Sequence, residues 1–132
     1  MIYKLKYALL LILCSCSKLV PVYDFTLDEH GKDGALLIVT YPANVKYDPV
    51  DLRAAYVRIN RCTSHRNDDI VYIPIIADSS RVISEGRRQV QINVETERYN
   101  LFRNSRQVCA QVVSGGDPLV RYSSENLQLR FR

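Results

Sequence analysis

Apolar residues in this chain recur mostly at every second position, or in short unbroken runs, which is the rhythm of strands. The cleanest case is 89–97, where Val90, Ile92 and Val94 alternate with Gln89, Gln91, Asn93 and Glu95. That pattern predicts a half-buried strand of an antiparallel sheet. Residues 107–113 repeat it, with Val108, Ala110 and Val112 on one face and Cys109 on the more polar one. The chain closes on Leu127, Leu129 and Phe131, alternating with Asn126, Gln128 and Arg130. Residues 35–41 form a continuous apolar run with β-branched Ile38, Val39 and Thr40, which predicts a buried strand stopped by Pro42. The isoleucine-rich run 70–77 contains Pro74, so it reads as an edge or bulged strand. Val20, Val22, Phe25 and Leu27 predict a first strand, which Pro21 assigns to an edge.

Segment 48–60 supports two readings. Asp48 is placed to cap a helix with Pro49 at its first position, and Leu52, Ala55, Tyr56 and Ile59 follow at helical spacing. Against that, Ala55, Val57 and Ile59 alternate with Tyr56, Arg58 and Asn60 and run into Cys62. The alternation decides for a strand, with Cys62 on the polar face. Charged, polar and glycine-containing stretches at 28–34, 65–69, 78–88, 98–106 and 114–118 read as turns or loops. Six or seven short strands with hardly a helix between them predict an all-β fold. The expected form is a small antiparallel β-sandwich, Ig-like or barrel-like, in one domain.

The first sixteen residues carry a different kind of message. Lys4 and Lys6 precede an apolar stretch at 8–13, and the small residue Ser15 precedes Cys16. A basic start, a short apolar centre and a small residue at the cut are the marks of a secretory signal. The apolar stretch is far short of the roughly 20 residues a spanning helix needs. Leu13, Cys14, Ser15 and Cys16 together resemble the lipobox of bacterial lipoproteins, with an aliphatic residue at minus three and a small one at minus one. The resemblance implies removal of 1–15 and acylation of Cys16. Ser17 in the next position implies sorting to the outer membrane of a Gram-negative cell. A multiply acylated cysteine makes a firm anchor, since each buried methylene contributes about 0.8 kcal/mol. The alternative is a plain cleavable signal that releases a soluble periplasmic protein. On the lipoprotein reading, 16–33 is a lipidated tether and lead-in, and 34–132 is the β-sandwich domain.

That processing also settles the cysteines. With Cys14 removed and Cys16 acylated, Cys62 and Cys109 remain as a pair, and an exported pair is expected to form a disulfide. A zinc site would need two more ligands, and His30 and His65, the only histidines, lack metal-type spacing. No metal and no cofactor is expected.

Charge adds one asymmetry. Up to Leu52 the mature chain has three lysines against six acids, whereas from Arg53 onward it has thirteen arginines, eight acids and no lysine. Guanidinium forks suit carboxylates and phosphates, so an acidic partner protein, lipopolysaccharide phosphates or anionic headgroups are the candidate contacts. A solvated sheet face explains the same arginines. No dense basic stripe points to nucleic acid. Tyrosine and arginine together dominate protein contacts when exposed. Arg98, Tyr99, Arg103 and Arg106, with Arg121 and Tyr122, are the expected contact surface.

Catalytic chemistry finds little support. His30 and His65 lie in polar turns without an oriented partner. Asp68 with Asp69 belongs to a turn, and Glu95 with Glu97 shares one strand face, so neither makes a cleft-spanning carboxylate pair. The expected function is a non-enzymatic outer-membrane lipoprotein that binds an envelope protein, like a secretion pilotin or an assembly factor. The alternatives are a phage-type superinfection-exclusion lipoprotein and an inhibitor or small-ligand-binding β-barrel.

Overall fold

The computed structural model describes residues 16–31, 34–43, 47–62, 71–76, 80–102, 107–115 and 120–132. Its strands are β1 (Cys16–Leu19), β2 (Asp24–Gly31), β3 (Gly34–Pro42), β4 (Ala55–Arg61) and β5 (Val71–Pro74). They continue as β6 (Ser80–Ser84), β7 (Arg87–Glu95), β8 (Val108–Ser114), β9 (Val120–Ser123) and β10 (Leu127–Phe131). A short helix, α1 (Thr96–Phe102), lies between β7 and β8.

Strand alternation sends every second side chain inward, and register lines those side chains into rows. In one half, Leu129 of β10 lies opposite Phe25 of β2, Phe25 opposite Val39 of β3, and Val39 opposite Val90 of β7. In the other half, Ile73 of β5 lies opposite Val57 of β4, which lies opposite Val112 of β8. All seven belong to one hydrophobic core. Both halves of the sheet therefore contribute to one shared apolar core, and burial at about 1.5–3 kcal/mol per large side chain holds it together. β3 lies between β2 and β7, and even its outward Ile38 and Thr40 are buried. Its unbroken apolar sequence reflects that central place.

The halves are one hydrogen-bonded sheet, joined by β10. Leu127 and Gln128 pair antiparallel with Ala110 and Cys109 of β8, while Leu129, Arg130 and Phe131 pair parallel with Phe25, Thr26 and Leu27 of β2. The sheet is open: β5 pairs only with β4 among the described strands, and β6 ends the other half.

Several expectations need correction. The sheet is mixed rather than antiparallel, because β1 also runs parallel to β9. Parallel pairing arises where the first strands lie beside the last ones, with most of the chain forming the crossover. Residues 16–31 are not a tether: they form β1 and β2, and Val20, Phe25 and Leu27 are fully buried. β2 is interior, between β10 and β3, and Pro21 falls in the connector before it. The loop expected at 78–88 contains β6, which hairpins onto β7 through a turn with Gly86 at φ +79°. The turn expected at 98–106 begins as α1, which also takes Glu97 off the strand face it was expected to share with Glu95.

Segment 48–60 divides between its two readings. Asp48 does cap a turn, its Oδ1 accepting from Val50 N–H at 3.0 Å, and the strand begins only at Ala55.

Candidate functional site

The alternation that buries Ala55, Val57 and Ile59 places Tyr56, Arg58 and Asn60 of β4 on the outer face of their half. Register then aligns neighbours beside them. Tyr56 lies opposite Val113, Arg58 opposite Gln111 and Asn60 opposite Cys109 on β8. On the other side Tyr72 of β5 lies opposite Arg58. Beyond β8, β9 contributes Arg121 and Ser123, and Ser17 of β1 lies opposite Arg121. All of these but Asn60 and Cys109 line a shallow cleft of about 520 Å³ that crosses all five strands, roughly 19 Å at the usual strand spacing.

The Tyr56 and Tyr72 rings meet edge to face, with centroids 5.0 Å apart and planes at 77°. This geometry suits the ring quadrupoles and gives the cleft a rigid aromatic wall. Arg58 is half-buried, and its Nε is shut off from solvent with no hydrogen-bond partner. The Oδ1 of Asn60, next along the same face, is in the same condition. An unmet buried polar group costs about 1–3 kcal/mol; of the two residues, Arg58 lines the cleft and Asn60 does not. Among the described residues no aspartate or glutamate lines the cleft.

The disulfide stands beyond Asn60. Cys62 and Cys109 are bonded, as expected, with Cα atoms 5.0 Å apart. The bridge is diagonal within one sheet: Cys109 faces Asn60, while Cys62 N–H donates to the Gln107 carbonyl at 2.9 Å. It ties β4 to β8, the two strands that form the cleft floor.

The residues expected to make the contact surface scatter. Arg121 is exposed and lines the cleft. Tyr122, one position on, turns inward and packs on Tyr47 at 5.1 Å between ring centroids. Arg98 of α1 donates to the Tyr72 carbonyl at 2.9 Å, so it tethers the helix to edge strand β5 beside the cleft. Tyr99 is buried in the core, where its ring is unavailable to a partner. Arg103 and Arg106 lie outside the described residues, as do His65, Asp68 and Asp69. Cys16 begins β1, and its side chain, like that of His30, is outside what the structure describes. Sequence reasoning passed over Tyr56, Arg58 and Gln111, although the strand reading of β4 had already put Tyr56 and Arg58 on one face.

A second cleft, of about 360 Å³, lies on the outer face of the other half, between Asp24, Thr40, Arg87, Gln89 and Arg130. It is less one-sided: Asp24 contributes a carboxylate, and the Arg87 guanidinium sits over the Tyr23 ring at 5.0 Å. Among the described residues no group of three His, Cys, Asp or Glu side chains could hold a metal ion, and no helix is long and apolar enough to cross a membrane. The first cleft offers donors and aromatic edges, which is the chemistry of binding. Protein-family models, curated proteins and solved structures all gave no match to this chain.

Proposed function

We propose that this chain is an outer-membrane lipoprotein, anchored through an acylated Cys16, whose β domain is a non-enzymatic protein-binding or assembly module in the envelope. One observation carries the binding half of this reading. The five-strand outer face concentrates Tyr56, Tyr72, Arg58 and Arg121 in one cleft, and exposed tyrosine with arginine is the composition of protein contact centres. The lipobox resemblance of Leu13, Cys14, Ser15 and Cys16 supports the anchor. β1 starts at Cys16 itself, so an acylated Cys16 would hold the domain close to the bilayer surface. A partner would then meet it in the adjoining periplasm or at the cell surface.

The test is a full-length chain expressed in a Gram-negative host, labelled with a palmitate analogue and carrying a photo-crosslinking residue at Tyr72. The expected result is label lost in Cys16→Ala, together with a discrete crosslink to an envelope protein. An unmodified amino terminus on the exported chain overturns the anchor. A crosslinker that finds no protein overturns the binding module.

A further inference from the structure

The cleft's charge, and the bonding state of its arginines, say more than that it binds. Three arginines elsewhere in the described structure are engaged: Arg88 with Asp48 at 3.3 Å, Arg98 with the Tyr72 carbonyl, and Arg87 over Tyr23. Arg58 and Arg121 have no such contact. Among the described residues no carboxylate pairs with either, and none lines the cleft they share. Arg58 Nε is already desolvated between its neighbours on β5 and β8. A half-buried guanidinium without a carboxylate favours a charged acceptor, because charge-assisted bonds to guanidinium are the strong ones.

Register places Arg121 one residue beyond the Tyr122–Ser114 pair, and Arg58 opposite Gln111. The two are thus four residues apart along the strands and two strands apart across them. From strand geometry their Cα atoms are roughly 16 Å apart. One small anion cannot bridge that separation. An extended chain carrying several carboxylates can, with Tyr56 and Tyr72 contacting its apolar parts. A flat headgroup layer fits poorly, since the groups sit in a concavity.

We infer that the Arg58–Arg121 cleft recognises an extended acidic segment of a protein partner. The inference rests on the binding module proposed above and supplies the chemical class of its ligand.

The experiment is titration of the purified full-length lipoprotein, in nanodiscs of zwitterionic lipid, with hexaglutamate, hexaglutamine and hexalysine peptides. Phosphatidylglycerol vesicles form a fourth arm. Hexaglutamate alone is expected to bind, more weakly as salt rises. Arg58→Gln and Arg121→Gln are each expected to weaken it at least fivefold, and Arg58→Lys, which keeps charge but loses the fork, by less. Arg87→Gln, on the opposite outer face, should leave it unchanged, and near-ultraviolet circular dichroism confirms that each variant is folded. Equal binding of hexaglutamine overturns the inference, as does hexaglutamate binding indifferent to both glutamine substitutions. Arginine-dependent binding to the vesicles without peptide binding replaces it with a membrane contact. A Tyr72 crosslink to an envelope protein that persists in the double variant keeps the module and removes the acidic segment. Hexaglutamate binding without any crosslink removes the module alone.

Discussion

Ser124 and Val112 exchange two hydrogen bonds: Ser124 N–H donates to the Val112 carbonyl at 2.8 Å, and Val112 N–H donates to the Ser124 hydroxyl at 2.7 Å. The side chain replaces a backbone acceptor where the chain interrupts its ladder with β8, between β9 and β10. That local break is what lets one edge of β8 be followed first by β9 and then by β10, before β10 moves on to β2.

Ser124→Ala should therefore destabilise the domain by about 1–3 kcal/mol, because it leaves the Val112 N–H buried without an acceptor. Urea unfolding should show a lower midpoint at unchanged slope, and exchange of the Val112 amide should accelerate. A midpoint equal to the parent's would show that another acceptor takes over.

Cys109→Ser opens a loop closed across 47 positions. In the chain-entropy model a loop of that length contributes roughly 4 kcal/mol. The melting temperature should fall sharply relative to the parent under oxidising conditions, and much less when both are measured in reductant. An equal fall in both conditions would assign the loss to packing at the serine rather than to the bridge.

Gly34 and Gly86 separate space from backbone conformation. Gly34 has φ +141°, and a Cβ there would collide with the Val94 carbonyl oxygen; Gly86 has φ +79° and open space around it. Gly86→Ala should cost about 1–2 kcal/mol, from the left-handed backbone alone. Gly34→Ala should cost more than that, since strain and collision add. Denaturant titration of both variants ranks them, and the reverse order would contradict the close approach of β3 to β7.

Asp48 has two duties, and their sizes differ. Its Oδ2 accepts from Arg88 at 3.3 Å, where the arginine side chain is 40% exposed, while its Oδ1 holds Val50 N–H. A double-mutant cycle with Asp48→Asn and Arg88→Gln should give a coupling below about 1 kcal/mol, because water screens the pair. Asp48→Ala should cost more than Asp48→Asn by about 0.5–2 kcal/mol, as loss of a cap does. Equal costs for the two would show that the Asx turn contributes nothing.

Reading the strands from sequence worked where alternation was long. Val90, Ile92 and Val94, or Val108, Ala110 and Val112, declare their inward face without help, because burial acts on every second residue of a long strand. The pairing of Cys62 with Cys109 was equally legible on the lipoprotein reading, in which Cys14 is removed and Cys16 acylated, so that no other partner is left. β1, β6 and β9 were missed because each is four or five residues long and, unlike β5 and β10, does not lie in a longer apolar or alternating stretch. Such strands are held by the neighbour they pair with rather than by a pattern of their own. α1 escaped for a similar reason: of its described side chains only Tyr99 is buried, too little to make a helical period.

The sequence alone thus determined an all-β domain, the faces of its long strands and its single bridged thiol pair, because periodicity and cysteine number are local properties of the chain. Tertiary structure decided that residues 16–31 belong to the sheet, that β10 links its two halves, and which of the described residues surround Arg58 and Arg121. Those outcomes depend on contacts between residues as distant as Ser17 and Arg121, or Phe25 and Leu129, whose pairing is a consequence of register and closure rather than of any stretch read by itself.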